Sequence, residues 1–363
     1  MSTAAGSLLV LGLEGPRLSA AEEALFRRLQ PAGYILFSRN LVTPEQTRDL
    51  TDTLRNLSKS QPIIAIDQEG GRVTRTKDLA PEVPSAAALA DCAKPALTAT
   101  AGRLTGELLR LLGVNMNLAP VLDLDHHPGV QNALRGRCWG SDPQRVIDHA
   151  GQWNRSLRQR GIATCAKHFP AGGRAVADPH HELPTAAATL DELMREDVLP
   201  YTALMPELDA IMLGHIEFPN IDGDFPASLS PRLIRCFLRD QLGFDRHLVV
   251  TDDLDMAAIT RRYGRGQDAR LAIAAGNDLA LICHRIDTAA TAAAAIAELP
   301  GPLLADAWER VERLRDKLHR PLPWSPSQWQ ATCAALATFA ATVPAEPKPA
   351  AGHELPLSPV ADY

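Results

Sequence analysis

No stretch of this 363-residue sequence approaches the about 18 consecutive apolar residues that a membrane-spanning helix requires. The N-terminus, MSTAAGSLLVLGLEGPRL, lacks the positive segment of a secretory signal, and its short apolar run ends in Gly-Leu-Glu-Gly, so it reads as a first strand. A cytoplasmic protein is therefore expected. There is no excess of positive charge: 37 Lys and Arg stand against 43 Asp and Glu, mixed along the chain, which argues against nucleic acid and anionic membrane as partners. The six cysteines form no C-x-x-C and fall in or beside apolar segments, as reduced packing thiols do. The first strand is followed by no G-x-G-x-x-G, which removes the usual signal for a dinucleotide site. It also lacks a His-x-His, a common zinc-binding pair at that position of a metallohydrolase barrel.

What is present is a regular alternation. Short apolar runs at 8–13, 34–37, 63–67, 114–119, 162–169, 210–215, 248–252 and 279–283 read as strands. Segments with apolar residues three and four apart, such as 19–30, 43–57 and 98–113, read as helices, and Thr43-Pro44-Glu45 is a well-formed helix start. Strands apolar on both faces, each followed by a helix, predict a parallel sheet covered by helices. Eight such units predict an α/β fold, a single (β/α)8 barrel over residues 1–320, with a doubly wound open sheet as the alternative. The remainder, 321–363, reads as a Pro-rich extension that includes one more helix at 326–342 carrying Trp329 and a partly disordered tail.

In such a barrel the chemistry sits at the carboxyl ends of the strands. Those ends carry Asp67, Asp123, Asp125, Lys167, His168, His215, Asp252 and Asp253, and the amino ends are expected to carry nothing comparable. The loop after strand five, within KHFPAGGRAVADPHHELP, adds Asp178 and His180 over the mouth. Each group also has a structural reading: Asp67 as a cap or turn residue before Gly70 and Gly71, Lys167 and His168 as structural ions, and one of Asp252 and Asp253 as a cap for the helix that follows. Metal-dependent hydrolysis is disfavoured because His126-His127 and His180-His181 are adjacent pairs that point apart on an extended chain. Glycoside hydrolysis suits the set better. A strand-end Asp can attack an anomeric carbon, and a His polarised by an Asp can carry the proton of the leaving oxygen. Spacing alone does not choose between Asp252 and Asp253.

The segments AIDQEGGRVTR, NLAPVLDL, GRCWG, KHFPAGGRAVADPHHELP, IMLGHIEFPNIDGDFPASLSP and VVTDDLDM, in this order over about residues 7–318, resemble glycoside hydrolase family 3, specifically its bacterial cytosolic β-N-acetylhexosaminidases of peptidoglycan recycling. The resemblance implies a retaining exo-β-N-acetylglucosaminidase that removes GlcNAc from GlcNAc-1,6-anhydroMurNAc peptides, and through cell-wall recycling a link to cell shape and division. It implies Asp252 as nucleophile, His180 as acid/base, Asp178 as its orienting partner, and Asp67, Arg75, Arg137, Lys167 and His168 as the residues that hold the sugar. Asp253 is then left to capping or packing. No metal or cofactor is implied, and a monomer is expected. The chain departs from the family pattern in having Ala171-Gly172-Gly173 where Gly-His-Gly is usual, Pro179 between Asp178 and His180, and Arg135 before GRCWG. The glycines are expected to let this loop fold over the mouth and retract. Three alternatives share the site: a β-N-acetylglucosaminide phosphorylase, a broader β-glycosidase, and a muropeptide-binding barrel without turnover.

Overall fold

The computed structural model describes residues 5–130 and 132–344. Its eight main strands are β1 (Leu9–Leu11), β2 (Gly33–Leu36), β3 (Ile63–Ile66), β4 (Met116–Asn117), β5 (Ala163–Phe169), β6 (Ala210–Leu213), β7 (Leu248–Asp253) and β8 (Leu279–Ile282). They pair in parallel and close into a barrel, β8 joining β1, so the doubly wound alternative is ruled out. Closure accounts for the sequence pattern. Every residue of β1, β2, β3, β6 and β8 is buried, because one face meets the barrel interior and the other the helical layer. Each large aliphatic side chain hidden this way contributes roughly 1.5–3 kcal/mol relative to exposure.

The helices begin where the sequence marks them. In α1 (Ala20–Leu29) Ser19 accepts the Glu22 N–H and Glu22 reaches back to the Ser19 N–H, a reciprocal cap. Thr43 caps α2 (Pro44–Leu57) through the Gln46 N–H. Next come α3 (Pro95–Leu111) and α4 (Pro143–Gln159), which pack on one another, then α5 (Leu190–Arg195) and α6 (Leu199–Leu204) after β5. The π-helical α7 (Arg232–Gln241) precedes β7, and α8 (Gln267–Ala275) and α9 (Ala289–Ile296) flank β8. Finally α10 (Gly301–Arg315) and α11 (Pro326–Ala340) cover the outside. The extension carries one helix among the described residues: α11 packs on α3 and buries Trp329, Leu336 and Phe339. The expected disordered tail lies, from residue 345 on, outside the described residues. Among the described residues no helix is long and apolar enough to cross a membrane. Cys138, Cys165 and Cys283 are buried free thiols, whereas Cys236 on α7 is exposed.

The amino ends of the strands correct one expectation. Asp278, just before β8, is fully buried and accepts from Arg239 Nη2 at 2.9 Å, Arg310 Nη1 at 3.0 Å and the Val249 N–H at 2.8 Å. Asp209, just before β6, accepts from Arg158 Nε and the Thr164 N–H, both at 3.2 Å. Buried carboxylates therefore occur at both ends of the barrel. Arg158, Arg239 and Arg310 sit on helices α4, α7 and α10, and nothing local in those segments signals these pairings, which join residues far apart in sequence.

Candidate active site

The residues after β3 do more than turn. Gln68–Gly70 and Val73–Thr74 pair as a short antiparallel hairpin, with Gly70 and Gly71 at φ of 97° and 55° where a side chain would be strained. Asn117 of β4 fixes its root, accepting the Gln68 N–H and donating to the Gln68 carbonyl, both at 2.9 Å. Gln68 Oε1 accepts the Arg75 N–H at 3.0 Å. This frame directs Asp67 and Glu69 toward β5. Lys167 Nζ lies 2.6 Å from Asp67 Oδ1 and 2.7 Å from Glu69 Oε1. Arg137 grips Glu69 through two bonds of 2.7 and 2.8 Å, and Arg75 Nη2 stands 3.5 Å from Asp67.

Asp67 is therefore an ion-pair partner and not a helix cap. Burial alone would push the Glu69 carboxyl up, but Arg137 and Lys167 overcome it and hold the group well below the usual carboxylate range. Burial likewise opposes the charge on Arg137 and Lys167, and the carboxylates raise both above their ordinary values. Glu69, Arg137 and Lys167 thus stay charged, and Asp67, Arg137 and Lys167 face the cavity as fixed hydrogen-bonding partners.

His168 is aimed by Asp123, whose Oδ2 accepts the His168 N–H at 3.1 Å and meets Nδ1 at 2.7 Å. The other oxygen, Oδ1, accepts the Gly172 N–H at 2.5 Å. A Cβ on Gly172 would fall 2.8 Å from that carboxylate, and one on Gly173 would fall 1.8 Å from the Leu124 carbonyl oxygen. The glycines are thus required by close approach to the segment after β4. The expectation that they serve to retract the loop gives the wrong reason for them.

The rest of the loop crosses the mouth. Asp178 Oδ1 accepts the His180 N–H at 2.9 Å and lies 2.7 Å from His180 Nδ1, so the carboxylate fixes Nδ1–H and leaves Nε2 for other contacts. Pro179 does not disturb the pair, and its carbonyl accepts the Ala258 N–H at 3.2 Å. His180 lines the cavity, whereas His181 is exposed. Arg135 is half-buried in the segment after β4.

The opposite wall comes from β7 and β8. Asp252 lines the cavity and accepts the Asp253 N–H at 2.8 Å. Burial would raise its pKa, but His168, His215, that N–H and Lys167 hold it below the ordinary carboxylate value. Asp253 behaves in the opposite way: burial, then the neighbouring Asp255, push its carboxyl up to about 8. Its Oδ1 accepts the Asp255 and Cys283 N–H groups at 3.0 and 3.1 Å. The short helix Ala257–Thr260 has no side-chain cap, so neither Asp252 nor Asp253 caps it; Asp253 packs against the β8 end instead.

His215 and His284 complete this wall. His215 Nε2 faces the Asp253 carbonyl at 2.9 Å and Nδ1 faces Ser228 Oγ at 2.7 Å; a carbonyl only accepts, so the proton is on Nε2, and burial favours the neutral ring. His284 is likewise neutral, its pKa lowered to about 4 by burial and Arg39.

One cavity, with about 920 Å³ of atom-free space counting its open mouth, is bounded by Asp67, Arg75, Arg137, Lys167, His168, His180 and Asp252, so seven of the eight candidates meet there and Asp178 stands directly behind His180. The arrangement offers an ionised carboxylate, an imidazole backed by a carboxylate, and a ring of fixed charged groups. Sequence reasoning assigned no role to Glu69, Asp123, His215 and His284. Glu69 sits in a polar stretch that reads as a turn, and only its partners at 137 and 167 explain its burial. Away from the cavity, ligand atoms of His126, Glu196 and Asp197 lie within 4.8 Å of one another. Both carboxylates are already bonded to Arg174, at 2.6 and 2.9 Å, so a fixed cation serves them.

The sequence model of the family described as "Glycosyl hydrolase family 3 N terminal domain" matches residues 5–314. The chain is 34% identical over 311 residues to a beta-hexosaminidase of Pseudomonas aeruginosa, covering 85% of this chain and 91% of that one. It is 35% identical to a beta-hexosaminidase of Alkalilimnicola ehrlichii, covering 84% and 92%. Among solved structures, native NagZ from Neisseria gonorrhoeae superposes with a TM-score of 0.79 at 27% identity, covering 92% of this chain and 98% of that one.

Proposed function

This chain belongs to glycosyl hydrolase family 3, and from that premise we propose that it is a retaining exo-β-N-acetylglucosaminidase acting in the cytoplasm on peptidoglycan fragments such as GlcNAc-1,6-anhydroMurNAc peptides. Asp252, ionised, attacks the anomeric carbon while His180 gives its proton to the departing oxygen. In the second half-reaction His180, still held by Asp178 through Nδ1–H, takes a proton from water as that water releases the sugar from Asp252. Two displacements at one carbon return the original configuration. Asp67, Arg75, Arg137, Lys167 and His168 hold the sugar hydroxyls, with Glu69 fixing Arg137 and Lys167 and Asp123 aiming His168. No residue in this scheme calls for a metal or cofactor.

The observation that carries this reading is that His180, on the loop after β5, and Asp252, at the end of β7, line one cavity, and that Asp252 rather than Asp253 is the carboxylate kept ionised there. The test is turnover of 4-nitrophenyl β-GlcNAc against the matching β-glucoside, followed by GlcNAc-anhydroMurNAc tripeptide with and without phosphate. Hydrolysis to free GlcNAc with a strong preference for the acetamido sugar is expected. Release of GlcNAc-1-phosphate would replace hydrolysis with phosphorolysis, and binding without turnover of any substrate would sink the enzymatic reading.

A further inference from the structure

The loop that carries Asp178 and His180 is fastened at its root by a cluster outside the cavity. Gly172–Arg174 forms one turn of 3-10 helix directly after the Asp123 contact. Arg174 then leaves the loop toward the junction of α5 and α6. Its Nε donates to Asp197 Oδ2 at 2.6 Å and its Nη2 to Glu196 Oε2 at 2.9 Å. Asp197 is 2% exposed and its other oxygen meets His126 Nε2 at 2.7 Å. The Arg174 carbonyl is met by His127 Nε2 at 3.3 Å. A buried carboxylate thus reaches the segment after β4 through His126 and the loop after β5 through Arg174. Removing Arg174 would leave Asp197 with half of its compensation in a site nearly closed to water.

Arg174 and Asp178 are four positions apart. A chain that short spans at most about 14 Å, so where Arg174 is held limits where the acid/base pair can stand. Farther along, the loop is attached from the Pro179 carbonyl to the Ala258 N–H at 3.2 Å, from the Ala186 N–H to the Glu217 carbonyl at 2.9 Å, and from Thr185 Oγ1 to Glu217 Oε2 at 3.4 Å. Arg174 also falls immediately after Ala171-Gly172-Gly173, where the imidazole usual at the middle position is absent.

We propose that Arg174 is a positioning residue for the acid/base pair, its guanidinium on Asp197 and Glu196 holding the loop in the position in which His180 faces the cavity. The inference rests on the reading of His180 as acid/base. It concerns the placement of a proton donor, so its signature is selective: reactions that need the proton suffer, and reactions with a good leaving group do not.

The experiment compares Arg174→Met, Arg174→Lys and Asp197→Asn in the full chain, with phenyl and 2,4-dinitrophenyl β-GlcNAc as substrates. Arg174→Met is expected to lower kcat for the phenyl glycoside by roughly 10- to 100-fold, the scale of losses from small misplacement of a catalytic group, with KM nearly unchanged. For formation of the glycosyl-enzyme from the dinitrophenyl glycoside the loss should stay within about 3-fold. Arg174→Lys, which keeps the charge without the fork, should fall between, and Asp197→Asn should follow Arg174→Met. Hydrogen exchange over residues 175–183 should quicken in Arg174→Met while the β-strands keep their protection. Equal losses on both glycosides, or none, in a variant that melts like the parent overturn the proposal. If Arg174→Met does not fold, the same criterion applies to Arg174→Lys. His180→Ala is run in parallel. Should it show no leaving-group dependence, the acid/base reading has failed; should it show one that Arg174→Met and Arg174→Lys lack, only the present inference has failed.

Discussion

The two ends of the barrel hold buried carboxylates in similar number of contacts yet to different effect. At the amino end Asp278 spends both oxygens on Arg239, Arg310 and the Val249 N–H, and Asp209 Oδ2 accepts from both Arg158 and the Thr164 N–H. At the carboxyl end Asp67, Asp252 and Asp253 also have partners, but each borders the cavity. A charged group at a strand end is therefore no mark of chemistry in itself. What separates the ends is whether the structure that satisfies the charge also leaves it a face open to a substrate. The amino-end pairs hold helices to strands, and the carboxyl-end pairs hold reactive groups apart.

The sharpest way to break this comparison is Asp252→Ala. Turnover of 4-nitrophenyl β-GlcNAc should fall on the order of 10⁴-fold or more, with the melting temperature essentially kept. A 2- or 5-fluoro sugar should label Asp252 in peptide mapping. Label on Asp253 would contradict the split between an ionised and a protonated neighbour.

His180→Ala should follow, slowing alkyl or muropeptide substrates by roughly 10²- to 10⁴-fold and activated aryl glycosides much less. Asp178→Ala should act in the same direction more mildly, and His181→Ala should leave both substrates nearly untouched. Leaving-group-dependent loss at His181 instead of His180 would mean that the loop presents the other imidazole.

The amino end should respond in the opposite currency. Asp278→Ala strips buried Arg239 and half-buried Arg310 of their shared carboxylate and is expected to cost about 3–5 kcal/mol of stability in urea unfolding. The folded fraction should keep its kcat. A selective loss of kcat at full stability would erase the distinction between the two ends.

A subtler test uses pH. Asp253, raised from the ordinary aspartate value to about 8 by burial and Asp255, binds a proton in the folded state that the unfolded chain has released. Stability from this group is complete below the unfolded pKa and is lost as pH rises toward about 8. His284, lowered to about 4, works in the other sense below its ordinary value and is silent above it. Between near-neutral pH and 8 the Asp253 contribution should stand out as a decline in unfolding free energy. Asp253→Asn should flatten that decline; an unchanged slope would place the proton elsewhere.

How much of this was legible beforehand follows from the range of the forces. The eight strands are short apolar runs buried on both faces, and helix starts such as Ser19 and Thr43 are satisfied within four residues, so local pattern suffices for both. Asp178 and His180 are equally local, two residues apart on one loop. Glu69, Asp123 and Asp278 are different. Their partners lie 29 to 98 positions away, for example Arg137 and Lys167 for Glu69 and Gly172 for Asp123, and no window of sequence contains the pair. The roles of Gly172 and Gly173 were misread for the same reason: what forbids a side chain there belongs to Asp123 and Leu124.

Asp123 also bears on transplantation. One of its oxygens aims the His168 imidazole and the other seats the first turn of the loop that ends in His180. Anyone moving residues 172–184 into another barrel would have to move Asp123 and Gly172 as a matched pair, since a Cβ at 172 would sit 2.8 Å from that carboxylate. An Asn in place of Asp123 offers one acceptor oxygen where two are in use, so the graft would gain its loop or its imidazole orientation and not both.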